Sequence, residues 1–190
     1  MEIGATKAVQ DRLKTTKIEE SKGASLVFCW DTHLTKIKGR NVLFIVNASN
    51  RYTIAMTDIE PRNWNYYTMY IRSVIHGVMQ EMGYSEDQIG QYFKMSGDTT
   101  VTKTHGRKSV GGINRMVMDA QYFGKKLEKE AKYQWELSEY LNRDICQPEG
   151  FDAYGYPSEL FKLDMERLGI ISKRKPAKII DFTKYIDTNH

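Results

Sequence analysis

The spacing of hydrophobic and polar positions in residues 25–56 predicts three strands joined by short turns. Residues 25–37 carry apolar side chains along an extended run, residues 42–46 are continuously apolar, and residues 51–56 alternate larger apolar side chains with smaller ones. Polar turns rich in Lys, Gly and Asn separate the runs. Together they predict an antiparallel β-meander, which short strands over residues 1–5 and 99–104 extend to a sheet of about four or five strands.

Other segments show the spacing of amphipathic helices. The shorter ones are predicted over residues 6–13, from Pro61 to about residue 82, after a capping box at Ser85 and Gln88, over residues 157–168, and over residues 179–186. The longest pattern extends from residue 113 to residue 141. It predicts a single helix of about 30 residues, near 45 Å in length.

These elements predict an α+β fold: an antiparallel β-meander packed by helices, followed by a long helix and a helical C-terminal extension. A helix of that length extends beyond a small core. We therefore expect residues 1–127 to form one domain, and residues 128–190 to form an extension that packs on it or on another molecule.

Composition narrows the class of protein. The chain of 190 residues is 41% hydrophobic and 12% aromatic, which suffices for a buried core, and its net charge of +4 leans towards anionic partners. The two cysteines have neither zinc-site nor disulfide spacing, so we expect a cytoplasmic protein without metal or cofactor. No apolar run approaches the ~20 residues of a membrane span, and the first residues do not read as a signal peptide.

The most concentrated cationic stretch in the first two thirds of the chain is residues 99–122. It has no carboxylate between Asp98 and Asp119. A strand leads into a polar turn and then into a helix, and the start of a helix is a favourable place for an anion. The cations there predict contacts with nucleic-acid phosphates, unless the turn is simply solvated. They are Lys103, Arg107, Lys108 and Arg115.

Two further sets of cations are weaker candidates. Arg51 beside Tyr52 is typical of a phosphate contact next to a base-stacking ring, although the cations of the strand turns also fit lysines and arginines that protect sheet edges. The cluster at residues 173–178 fits a phosphate patch, a protein anchor or a solvated linker.

The inventory of catalytic residues is small. Asp31 and His33 share one face of a strand, and the turn that carries His105 is placed to meet them in space. A base, an acid and cations are enough for metal-independent RNA cleavage, whereas ordinary surface or core histidines are the alternative interpretation. The chain contains no phosphate-binding loop, dinucleotide fingerprint, nucleophile elbow or zinc-protease motif.

At several spaced motifs the chain resembles a bacterial domain family of unknown function that is frequent on plasmids and phages. The motifs span residues 1–127; they are Ile3-Gly4-Ala5-Thr6-Lys7, residues 30–34, residues 42–47, Asn50-Arg51-Tyr52, Thr102-Lys103-Thr104, Arg107, Ser109-Val110 and Asn114. After Trp30 the family more often has His-Ala-Asn-Leu, where this chain has Asp31-Thr32-His33-Leu34. The domain arrangement also resembles that of broad-spectrum type II anti-CRISPR proteins, which share one N-terminal domain and differ in the region that follows it.

This second resemblance implies an inhibitor, carried by a mobile element, that acts in the bacterial cytoplasm on a type II CRISPR effector nuclease. It would interfere with the guide RNA by blocking its loading or by trimming it. The alternatives are a metal-independent RNA-cleaving enzyme that uses His33 or His105, and a dimeric interaction module built on the long helix. No membrane partner is expected.

Overall fold

A computed structural model describes residues 1–14 and 18–172. Its strands are β1 (Glu2–Ala5), β2 (Cys29–Ile37), β3 (Arg40–Asn47), β4 (Thr53–Thr57) and β5 (Thr100–Thr102). Its α-helices are α1 (Lys7–Leu13), α2 (Pro61–Asn65), α3 (Tyr67–Glu81), α4 (Glu86–Ser96), α5 (Gly106–Gln121), α6 (Trp135–Asn142) and α7 (Pro157–Arg167). The α+β fold class is therefore confirmed. None of the described helices has both the length and the apolar character to cross a membrane.

The five strands form one sheet in the order β4-β3-β2-β1-β5. Strands β2, β3 and β4 pair antiparallel in succession, whereas β1 pairs parallel to both β2 and β5. The expectation of an antiparallel sheet is thus wrong in the half that contains β1. Parallel neighbours need a crossover connection, and the chain makes these through α1 and through α2 to α4.

Helices cover both faces of the sheet, because side chains alternate along each strand. On β3, Leu43 and Ile45 belong to a first core that includes side chains of α1, α3, α4 and α7. The neighbouring Val42, Phe44 and Val46 belong to a second core, with α5 and α6. Strand β3 is thereby buried on both sides, which explains its continuous apolar run.

The predicted helix of about 30 residues is two helices. Helix α5 ends at Gln121, α6 begins at Trp135, and the chain between them follows the outer edge of β4. There the amide of Thr57 donates to the carbonyl of Lys132 at 2.8 Å, and the amide of Gln134 donates to that of Ala55 at 2.9 Å. Covering a sheet edge satisfies backbone groups that a continuous helix would leave unpaired.

Residues after 127 pack into the same cores as those before it. Phe161 of α7 lies in the first core, with its ring centroid 5.4 Å from that of Tyr52 and 6.1 Å from that of Trp30. On α6, the side chain of Asn142 bonds both the amide and the carbonyl of Thr53 at 2.8 Å. A division at residue 127 therefore does not coincide with a gap between cores. The basic cluster at 173–178 and the element expected at 179–186 lie outside the described residues.

Replacing Phe161 by Ala should lower the free energy of unfolding by about 3–5 kcal/mol, because it removes a fully buried ring from the first core. Urea denaturation followed by circular dichroism measures the change. Leu163→Ala on the same helix is the control, since Leu163 is 43% exposed and should leave the midpoint nearly unchanged. Equal midpoints for the two variants would show that α7 is not part of this core.

Candidate functional site

The sheet face under the start of α5 is polar rather than apolar. In the register of the sheet, Glu2 pairs with Cys29 and Gly4 pairs with Asp31, so these residues share one face with His33, two positions after Asp31. Over β3 and β4 the same face carries the apolar side chains of the second core. The polar part therefore lies over β1 and the first half of β2, and it continues onto β5, where Thr100 and Thr102 pair with Glu2 and Gly4.

His105, in the turn before α5, lies between two carboxylates of this face. Its Nδ1 is 2.7 Å from Oδ1 of Asp31, and its Nε2 is 3.0 Å from Oε2 of Glu2. The hydroxyl of Ser109, in the first turns of α5, donates to the other oxygen of Asp31. We call Glu2, Asp31, His105 and Ser109 the His105 cluster. The side chains of Asp31 and His105 are 0% and 3% exposed, so this contact is internal.

The surroundings of the His105 cluster favour a charged imidazole. Burial alone would lower the pKa of His105, but hydrogen bonds with Asp31 and Cys29 and the negative charge of Asp31 outweigh it and raise the pKa to about 10. Burial would raise the pKa of Glu2, yet hydrogen bonds from Ser21, from the amide of Lys22 and from His105 hold that pKa below its usual value. Both ring nitrogens of His105 then donate protons, and neither offers a lone pair to act as a general base.

His33, the second candidate base, does not join this cluster. It shares the face of Asp31 as expected, but its Nδ1 lies 3.2 Å from the hydroxyl of Thr6. Burial lowers the pKa of His33, so its ring is neutral at physiological pH. The structure therefore brings together Asp31 and His105 of the three catalytic candidates.

Gly4 makes room for the carboxylate of Asp31. A Cβ atom at Gly4 would lie 1.8 Å from Oδ1 of Asp31 and 3.0 Å from the Cα atom of Thr104. Sequence reasoning did not name Glu2, and it named Gly4 and Ser109 only as residues of the family resemblance, without a role in a site. A glycine inside a predicted strand was the available signal, since it often marks a close approach of another group.

Three of the predicted RNA-contacting residues line one surface cavity of about 250 Å³, which we call the cationic cavity. These residues are Arg51, from the β3–β4 turn, and Lys108 and Arg115 on α5. Arg51 donates through Nη2 to the carbonyl of Gly112 at 2.9 Å, and Lys108 donates to that of Pro148 at 3.2 Å. Within residues 1–14 and 18–172, neither of these two cations makes a salt bridge with a carboxylate.

The other three predicted contacts lie elsewhere. The ammonium of Lys103 pairs with Glu20, and Arg107 is exposed on the first turn of α5 but does not line the cavity. Tyr52 is 3% exposed and packs in the first core, so it presents no ring face to a base. Tyr52 lies in the first core, whereas the guanidinium of Arg51 contacts Gly112 of α5 on the other side of the sheet.

The cations of the β2–β3 hairpin hold the chain between α5 and α6. Lys38 donates to the carbonyl of Lys125 at 2.7 Å, and Arg40 donates to that of Glu128 at 2.7 Å and pairs with Asp58. These contacts are structural, and they differ from the protection of a sheet edge because β2 and β3 both lie inside the sheet.

Gly4→Ala should destabilise the protein by about 1–3 kcal/mol or more, because the added methyl group meets the Asp31 carboxylate. Thermal unfolding measures the effect. Gly77→Ala is the control: no atom lies within 4 Å of its added Cβ, and Ala is the better helix former. In an Asp31→Ala background, the additional cost of Gly4→Ala should be smaller. Simple additivity of the two changes would show that Gly4 does not serve the carboxylate.

Comparison with known proteins identifies a family but no characterised relative. Residues 2–160 match the family described as a domain of unknown function (DUF6933), a stretch that includes β1 to β5, α1 to α6 and the start of α7. Searches of the curated proteins and of the solved structures find no match. Since the match covers most of the chain, including the His105 cluster and the cationic cavity, the protein belongs to the DUF6933 family.

Proposed function

We propose that the chain binds the phosphate backbone of RNA at the cationic cavity. The observation that carries this proposal is the convergence of Arg51, Lys108 and Arg115 on one cavity from two separate elements. The lining also contains Glu149, so the three cations outnumber the single carboxylate there. Cations clustered in this way attract phosphates and release counterions when they bind them.

Arg51 and Lys108 keep most of their donors available, and Arg115 forms a long, exposed ion pair with Asp119 at 3.9 Å. A guanidinium has five N–H groups and an ammonium has three, whereas the contacts to the Gly112 and Pro148 carbonyls use one donor each. Carbonyl partners position a cation without cancelling its charge. Ligand pockets usually measure about 300–1,000 Å³, so a cavity of 250 Å³ suits a phosphate and part of its sugar better than a whole nucleotide.

The resemblance to type II anti-CRISPR proteins makes the guide RNA of a type II effector nuclease the expected target. Occupation of guide-RNA phosphates by this protein would hinder loading of the RNA into the effector, which is the inhibitory step that we propose. This route needs only binding and no catalytic base. It agrees with the contacts of His105, because both of its ring nitrogens contact carboxylates.

Neither alternative function gains support from a specific contact. Trimming of the guide RNA by a metal-independent mechanism would require a free base near the bound phosphate. His105 does not supply one, and His33, whose ring contacts Thr6, does not line the cationic cavity. The dimeric module was predicted from one long helix, but this segment forms two helices, α5 and α6.

Lys108→Gln combined with Arg115→Gln should weaken binding to the guide RNA and reduce its salt dependence. Each single-strand phosphate that the protein neutralises adds about 0.7 to the steepness with which log K falls against log salt, so removing two cations should reduce that steepness by about 1.4. Fluorescence anisotropy of labelled guide RNA at several salt concentrations measures the slope. Inhibition of DNA cleavage by the assembled effector should fall in parallel.

The control variant is Lys126→Gln combined with Lys129→Gln, which removes the same charge from exposed positions outside the cavity. Its slope and its inhibition should equal those of the parent chain. Equal slopes for both double variants would remove the cationic cavity as the binding site. Salt-dependent RNA binding without any effect on the effector would retain the site and reject the guide-RNA target.

A further inference from the structure

Two members of the His105 cluster meet a third potential metal ligand, and each of the three comes from a different segment. The carboxylate of Glu2 on β1, the thiol of Cys29 on β2 and the imidazole of His105 place one donor atom each within 4.8 Å of the other two. The sheet register pairs Glu2 directly with Cys29, and Nε2 of His105 is 3.0 Å from Oε2 of Glu2. Sulfur, nitrogen and oxygen donors of these types are the ligands that zinc takes in proteins.

All three ligands make hydrogen bonds with the protein. Those of the Cys29 thiol, to the carbonyls of residues 24 and 25 at 3.6 and 3.5 Å, are weak and would be lost in a metal–thiolate bond. Asp31 fixes Nδ1 of His105 at 2.7 Å, which directs Nε2 towards Glu2, as carboxylates commonly do for metal-binding histidines. The carboxylate of Glu2 is held by the hydroxyl of Ser21 at 2.6 Å and by the amide of Lys22 at 2.8 Å. These contacts of His105 and Glu2 do not depend on the metal.

We propose that Glu2, Cys29 and His105 bind a divalent transition-metal ion of the zinc type, with a water molecule as the fourth ligand. A tetrahedral zinc with bonds near 2.0–2.2 Å separates its nitrogen and oxygen ligands by about 3.3–3.4 Å. The observed 3.0 Å between Nε2 and Oε2 therefore has to open by only a few tenths of an ångström. The thiolate and the imidazole select against Mg²⁺ and Ca²⁺, which prefer oxygen.

The hydrogen bond of Asp31 does not compete with the metal, because Asp31 contacts Nδ1 of His105 and leaves Nε2 for the ion. Any protons on Nε2 and on the sulfur of Cys29 leave to the solvent when the ion binds. This inference does not rest on the proposed RNA binding.

Cobalt(II) is the probe that tests the site, because a thiolate ligand gives it a charge-transfer absorption band in the near ultraviolet. The full chain, stripped with a chelator and dialysed, should bind one equivalent of Co²⁺ with this band, and Zn²⁺ should abolish the band by displacement. Measurement of Co²⁺ binding to the unsubstituted chain is sufficient to test the proposal. Absence of the band, or of one-equivalent binding measured by elemental analysis after dialysis, overturns the proposal.

Cysteine variants assign the ligand. Cys29→Ser should lose the charge-transfer band, whereas Cys146→Ser should retain it, since Cys146 is equally a buried free cysteine but lies outside the cluster. The reverse pattern contradicts the site. Asp31→Asn should lower the Co²⁺ affinity about 10–100-fold with the band preserved, as expected for a residue that positions a ligand. Circular dichroism of each variant confirms that it is folded.

Discussion

The carboxylate of Asp31 is the constraint on which the rest of the site depends. It is fully buried in the middle of the sheet, and a buried carboxylate is stable only when donors surround it. The backbone amide and ring of His105 and the hydroxyl of Ser109 supply those donors. Because these residues belong to the turn before α5 and to its first turns, the same contact fixes where α5 begins. Gly4 provides the space in which the carboxylate lies.

The position of α5 in turn determines the cationic cavity. Lys108 and Arg115 are carried by α5, and Gly112 between them receives the guanidinium of Arg51. The turn that presents Arg51 is held by Asn47, whose Oδ1 accepts from the amides of Ser49 and Asn50, and it places Arg51 at a φ of 62°. The backbone that carries the cavity is thus held by hydrogen bonds, so the ordering cost of binding an anion falls mainly on the exposed side chains of Lys108 and Arg115.

The sequence predicted the elements with strong periodicity but not all of their partners. Apolar spacing identifies which residues are buried, and Phe123 and Leu127 continue the pattern of α5 because they enter the second core. The spacing does not report which backbone groups pair, so the covering of the β4 edge by residues 131–134 had no local signal. The parallel pairing of β1 was hidden for the same reason, since alternation defines a face and not a neighbour.

The sequence indicated the cations of the cavity but not the grouping of Glu2, Cys29 and His105, and the reason is related. Lys108 and Arg115 are close in sequence on one helix, so their charge could be recognised as a cluster. Glu2 and His105 are separated by 103 positions, and Cys29 lies on a third segment, so no motif spacing connects them. Such a grouping arises only when the register of β1 and β2 and the turn before α5 are known.

The hydrogen bonds that hold the start of α5 do not depend on what contacts Nε2 of His105. Asp31 accepts from the Nδ1 proton, from the His105 amide and from Ser109, whichever group occupies Nε2 on the other side of the ring. Ser109 also lines the cationic cavity, so it is the direct link between the buried cluster and the surface. Since its hydrogen bond is the same whether Nε2 faces Glu2 or a metal ion, the start of α5 keeps its position in both cases. A metal in this cluster would therefore stabilise the scaffold of the cavity and would not act as a switch for the proposed RNA contact.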